Sequence, residues 1–156
     1  MMTPGLIARM QAELGASLPL WGLSSRSTLS FLSHSENTTF LAQDPASERR
    51  LVLRVQRIGY HTSAEIRSEL AWIDALIAED IVVTPRPVAD GDGRPLCPIV
   101  LNGTPRQVAA FEFLGGKEPD PSDDLVAWFS KLGAISARLH AHSRGWKRPP
   151  DFHKFT

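Results

Sequence analysis

A single cysteine, Cys97, stands in a chain of 156 residues, so an internal disulfide cannot form and a cysteine-ligated zinc site lacks its ligands. That scarcity fits a reducing compartment. Charge of one sign is missing as well, because seventeen Lys and Arg balance seventeen Asp and Glu. No global field then attracts nucleic acid or an anionic membrane surface, and neither is expected as a partner. No apolar run approaches the ~20 residues needed to cross a bilayer. The opening Met1-Met2-Thr3-Pro4-Gly5 has no basic segment ahead of an apolar core, which excludes the pattern of a secretory leader. Internal repeats and low-complexity tracts are absent too. The expectation is a soluble, cytoplasmic protein.

What is present is ordinary globular material. Apolar residues make up 42% and charged residues 22%, enough for one domain with a real core, or one domain and part of another. Thr3-Pro4 reads as an N-cap with proline at the first helical position, and Leu6, Ile7, Met10 and Leu14 follow at helical spacing up to Gly15. Ser27 to Leu32 alternates polar and apolar residues like a half-buried strand, Ser33 to Asn37 makes a turn, and Thr38 to Ala42 reads as a second strand. After the turn-forming Asp44 to Glu48, Arg50 to Val55 is the strongest strand, with Arg54 interrupting an apolar run. Thr62 and Glu65 form a capping-box pattern ahead of a buried stripe at Ile66, Leu70, Ile73 and Ile77.

Pro85 and Pro87 confine the stretch Ile81 to Val88 to a sheet edge or an extended connector. Asp90 to Gly93 and Asn102-Gly103 are hairpin-type turns around strands at Pro98 to Leu101 and Arg106 to Phe113. Gly115 to Pro121 reads as a linker, and a long helix starts near Ser122 with Leu125, Trp128, Phe129, Leu132, Ile135 and Leu139 at helical period. Short turns between consecutive strands imply antiparallel pairing with one helix packed on a face, an α+β fold. Trp72, Trp128 and Phe129 read as packing anchors. The long helix carries more apolar side chains than its own surroundings cover, which would make a patch suited to a dimer. His140 and His142 do not share a helical face and read as packed or surface histidines rather than a metal pair.

The chemistry-bearing constellation is a polar turn ending in Glu36-Asn37, a cation, Arg54, inside a buried strand, and an acid, Glu69, on the following helix. Glu69 lies three residues after Ile66 and four before Ile73, so its side chain faces the sheet. An ion pair between them would hold the cation out of the apolar layer and aim it at a triphosphate, a device of kinase-type phosphoryl transfer.

On these residues the sequence resembles the aminoglycoside phosphotransferase family, also called the phosphotransferase enzyme family, from about Leu29 to the end. The matching stretches are Glu36-Asn37, Leu51 to Arg54, Arg67 to Trp72, Pro85 to Val88, Phe111 to Gly116, and Leu132-Gly133 through Ala137-Arg138-Leu139-His140. The resemblance implies a protein-kinase-like fold: a helical extension at 1–26, a nucleotide-binding lobe at 27–114, a hinge at 115–121, and the start of a C-terminal lobe at 122–156. It also implies ATP as a partner, with Ser35, Glu36 and Asn37 over the phosphates and Arg54 on the α/β-phosphates. Glu69 would be the partner of Arg54, and Phe111, Glu112 and Leu114 would hold the adenine.

The acceptor would be a small hydroxylated molecule. The family usually places lysine where Arg54 stands, and its catalytic loop has no counterpart here, so catalytic residues and magnesium ligands are expected beyond Thr156 and these residues alone are expected to be inactive. Asp151-Phe152-His153 imitates the kinase Asp-Phe-Gly but follows the long helix directly, with no catalytic loop between. Two other readings stand beside the kinase fragment: a non-catalytic nucleotide- or protein-binding module, and a general α+β domain without nucleotide chemistry.

Overall fold

The computed structural model describes residues 3–154. Helix α1 runs Pro4–Gly15, with the Thr3 hydroxyl accepting from the Leu6 amide at 3.3 Å. A single 3-10 turn, Leu18–Trp21, follows and is closed by Gly22 at φ 72°, a left-handed conformation that costs glycine nothing. Strands β1 (Thr28–His34), β2 (Thr38–Gln43) and β3 (Arg50–Val55) then form an antiparallel meander. Helix α2 spans Ser63–Ala78 and begins with the expected capping box, in which the Thr62 amide donates to the Glu65 carboxylate at 2.8 Å and the Glu65 amide to the Thr62 hydroxyl at 3.2 Å. Strands β4 (Pro87–Val88), β5 (Cys97–Leu101) and β6 (Thr104–Glu112) complete the sheet, in the order β1-β2-β3-β6-β4 with β5 also paired to β6. Helix α3 runs Leu125–Gly145. No described helix is long and apolar enough to cross a membrane.

Period-two alternation in the central strands sorts their side chains to the two faces. On one face Phe40, Leu51, Leu53, Val55, Cys97, Leu101 and Val108 pack against Met10, Leu14, Leu18, Trp21 and Leu23. The other face offers Ala109 and Phe111 to Ile66, Leu70 and Ile73 of α2. The sheet is therefore covered by a helix on each face, where the sequence points to one. The segment expected as a helical extension, 1–26, supplies a whole wall of the main core over its described residues. Cys97 lies in that core, and burial, together with its bond to Asp90, pushes its thiol up to about 11, so it is inert.

Three expectations are corrected. Strand β1 is not half-buried: it is an edge strand that outruns α1, and Phe31 and Leu32 remain 41% and 47% exposed. It is also longer than its alternation suggests, because Ser33 and His34 still pair with Thr39 and Thr38 past a register irregularity after Phe31. Trp128 and Phe129 do not anchor a core; they are 37% and 68% exposed, since no described element covers that side of α3. Pro87 and Val88 do sit at the edge of the sheet, and Asn102-Gly103 turns with φ 52° and 72°, as an Asn-Gly hairpin requires.

Two measurements check this packing. Leu14→Ala should lower stability in urea by about 2–5 kcal/mol through loss of buried surface and the cavity left behind. Leu6→Ala, on the exposed side of the same helix, should cost about 0.5 kcal/mol or less. Asp44, between β2 and β3, is held below its ordinary value of 3.8 by hydrogen bonds from the Ser24 hydroxyl, then from the Ser47 hydroxyl. A lowered folded-state value gives stability that is present above the unfolded value and lost as pH falls below it. Asp44→Asn should therefore lower the urea midpoint at pH 7, and its difference from the wild type should shrink progressively as pH falls below 3.8.

Candidate functional site

A cation in the middle of an apolar strand needs space and a counter-charge. Both come from its neighbours. The cross-strand partners of Arg54 are Thr39 on β2 and Ala109 on β6, small side chains that leave a slot above the sheet. Into that slot α2 lowers Glu69. Arg54 Nη1 donates to Glu69 Oε1 at 2.9 Å and Nη2 to Oε2 at 2.8 Å, the bidentate fork that only arginine makes. The guanidinium lies over the Phe111 ring, 4.9 Å from its centroid, a cation–π contact that desolvates one of its faces.

The two side chains are 20% and 26% exposed, so they remain open to solvent on one side. Net stabilisation from such a pair is small, because desolvation offsets attraction. Its consequence is geometric: the cation's place is fixed.

Beside the pair opens a cleft of about 310 Å³ lined by Thr39, Val52, Arg54, Ile73, Phe111 and Leu114 among others. Its walls are mostly apolar and its polar groups few, as in small-molecule sites. At its rim the chain leaves β6. The Glu112 amide is spent on the Arg86 carbonyl at 2.8 Å and that of Phe113 on the Arg50 carbonyl at 3.2 Å, while the Leu114 amide has no backbone partner among the described residues. Arg54 Nε is buried and likewise without a hydrogen-bond partner among them. An apolar slot with a spare amide at one end, and at the other a guanidinium whose terminal nitrogens each keep one N–H beyond the Glu69 pair, fits a nucleotide's base and phosphates. For a metal ion the described residues offer no group of three or more His, Cys, Asp or Glu, and none of them is assigned as a ligand.

Of the residues singled out from sequence, Arg54, Phe111, Glu112 and Leu114 line this one cleft, with Glu69 bonded to Arg54 at its edge. The hairpin residues do not. Ser35 and Glu36 line a separate hollow with His34, Thr38, Arg57, Ile58 and Arg106. Glu36 pairs with Arg57 at 3.2 Å, and Asn37 Oδ1 accepts from the Arg57 amide at 3.1 Å, so both residues fasten the β1–β2 tip to the end of β3. Sequence reasoning missed Thr39, whose hydroxyl shares a 2.7 Å bond with that of Ser33 on the Arg54 side. Strand alternation carried the signal, since Phe40 in the core forces Thr39 to the opposite face.

An antiparallel sheet whose central cation is clamped by a helix carboxylate, beside an apolar cleft that opens where the sheet ends, is the architecture of a kinase-like phosphotransferase fold. Comparison with known proteins agrees. The model of the phosphotransferase enzyme family matches residues 28–156, and the chain belongs to that family. A solved microcompartment-associated aminopropanol kinase superposes with a TM-score of 0.78 at 38% identity, over 92% of this chain and 43% of that one. An amicoumacin kinase in complex with AMP-PNP, Ca2+ and Ami superposes with a TM-score of 0.76 at 21% identity, over 97% of this chain and 46% of that one. An uncharacterized protein of Deinococcus radiodurans is 34% identical over 114 residues, which are 72% of this chain and 31% of that protein. The fold is protein-kinase-like, and the chain spans less than half the length of each of these proteins.

The pair itself is testable. In a double-mutant cycle of Arg54→Met and Glu69→Gln, unfolding in urea should show a coupling energy of about 0.5–3 kcal/mol. Strictly additive losses would mean that the two side chains do not meet in solution.

Proposed function

We propose that this chain is the ATP-holding part of a small-molecule phosphotransferase that moves the γ-phosphate of ATP to a hydroxyl group. The observation that carries the reading is the bidentate Arg54–Glu69 pair at the mouth of an apolar cleft. The adenine lies between Val52, Ile73 and Phe111, with the Leu114 amide as its hydrogen-bond donor. Arg54 faces the α- and β-phosphates, oriented by Glu69 and Phe111, and the Thr39 hydroxyl lies beside it. Glu36 and Asn37 brace the hairpin tip through Arg57 and stay outside the cleft.

When bound, Mg-ATP supplies the transferable phosphoryl group and most of its charge neutralisation. The residues of this chain bind and orient it, and exclude water from the base. In this reading, activation of the acceptor hydroxyl and ligation of magnesium fall to residues other than those of this cleft. An amino alcohol such as aminopropanol is the first acceptor to test, because a solved kinase that is 38% identical acts on it.

A second reading, a nucleotide- or protein-binding module, draws on the apolar face of α3, where Leu125, Trp128, Phe129 and Leu132 are exposed. Such a face is the kind that other protein surface covers.

Calorimetric titration separates the outcomes. The wild type should bind Mg-ATP or AMP-PNP, and Arg54→Ala should weaken that binding about tenfold or more, the worth of a hydrogen bond to a charged group. Affinity for adenosine should stay the same. Equal losses for ATP and adenosine would remove Arg54 from the phosphates. With Mg-ATP and aminopropanol, these 156 residues alone should release no phosphorylated product, and steady turnover would overturn the assignment of the chemistry to another segment.

A further inference from the structure

Glu69 meets Arg54 only while α2 keeps its rotation about its own axis. The sheet-facing stripe of α2 is apolar, formed by Ile66, Leu70 and Ile73. Apolar contact resists separation but is non-directional, so it constrains rolling weakly. Directional contacts lie on another stripe: Ser68, Trp72 and Glu79 fall within ~40° of one another on the helical wheel at 3.6 residues per turn. All three meet the segment that ends α3 and runs on from it. Trp72 Nε1 donates to His142 Nδ1 at 3.1 Å, and Ser68 Oγ accepts from the His153 amide at 2.8 Å.

An indole N–H can only donate, so Nδ1 of His142 is the acceptor and the ring proton of the neutral imidazole sits on Nε2. That nitrogen lies 3.4 Å from Glu79 Oε1 without closing a hydrogen bond. The segment is packed on itself: His142 stacks on Trp146 at 6.0 Å and Trp146 meets Phe152 edge-on at 5.4 Å. The side chain of His142 is 3% exposed, which leaves the Trp72 bond no competition from water. Glu69 stands on the flank between the two stripes, and with Ser68 and Trp72 it lines one side of an open hollow of about 470 Å³ whose other side is Trp146 and Phe152.

We propose that residues 142–153 form a strap that sets the roll of α2, with His142 and Trp72 as positioning residues for the Arg54–Glu69 pair. The inference rests on the nucleotide reading above, which gives the pair its purpose. Neither residue lines the cleft, and both act through Glu69.

The test reads the pair directly as well as through ligand. His142→Leu removes the acceptor, while His142→Asn returns an amide oxygen close to where Nδ1 stood. His142→Leu should weaken Mg-ATP binding about 2- to 30-fold, the range of effects transmitted between sites without ligand contact, and leave adenosine binding unchanged. In 15N-edited NMR spectra of the ligand-free protein, the Arg54 Nε–H signal should shift and exchange faster in His142→Leu and return toward the wild type in His142→Asn. In a Glu69→Gln background, His142→Leu should add no further loss of ATP affinity.

A cooperatively folded His142→Leu variant with an unchanged Arg54 signal overturns the strap. So does a loss that His142→Asn fails to rescue. If the wild type binds no nucleotide, the functional reading falls, and the Arg54 signal alone still decides the strap. Should His142→Leu fail to fold, Trp72→Phe removes only the N–H, and the same two readouts apply.

Discussion

The guanidinium of Arg54 cannot give up its charge in a protein interior, and the architecture around the cleft follows from that constraint. A permanent cation in the strand between β2 and β6 demands small neighbours, and Thr39 and Ala109 supply them. It demands a carboxylate at a fixed height, and α2 supplies Glu69. It tolerates an aromatic face beneath it, and Phe111 fills that place. Remove Glu69 and the cation stands unpaired beside a layer built for hydrocarbon, which costs more than the pair itself contributes. The pair is therefore better understood as a position held than as energy gained.

The two faces of the sheet divide the work of stability and function. Toward α1 the packing is dry and continuous, and its side chains, from Met10 to Val108, have no polar task. Toward α2 the apolar contact is smaller and takes in no residue of β2 or β3, which leaves the cleft open. A sheet covered equally on both faces would be more stable and would have nowhere to admit a ligand. The rigid α1 face lets the other face stay partly uncovered without losing its shape.

Arginine in place of the lysine usual in this family changes how the cation is held. A lysine ammonium would share its three donors freely between carboxylate and phosphate. Arg54 spends one N–H of each terminal nitrogen on Glu69, so its direction is set before any ligand arrives. That raises the importance of where Glu69 stands. The ties from Ser68 and Trp72 to the segment after α3 act on this point, because a bidentate fork tolerates little rotation of the helix that bears one half of it.

Rules that act over one turn or one pleat were readable without coordinates. The Thr3 cap, the Thr62–Glu65 box, the Asn102-Gly103 turn and the offset that lets Glu69 face Arg54 all depend on residues a few positions apart, and each is realised. Coverage was not readable in this way. Phe31 and Leu32 have the pattern of a buried strand and Phe129 that of a core anchor, yet all three are exposed, because burial requires a partner surface that no local rule supplies. Nor does spacing show that Ser35 and Glu36 open onto a different hollow from Arg54, or that His142 accepts from Trp72 across 70 residues of chain. Sequence alone determined which side chains each element could present and to which side. Tertiary structure decided which of those sides met another element, because that depends on how segments far apart in the chain pack and no local period encodes it.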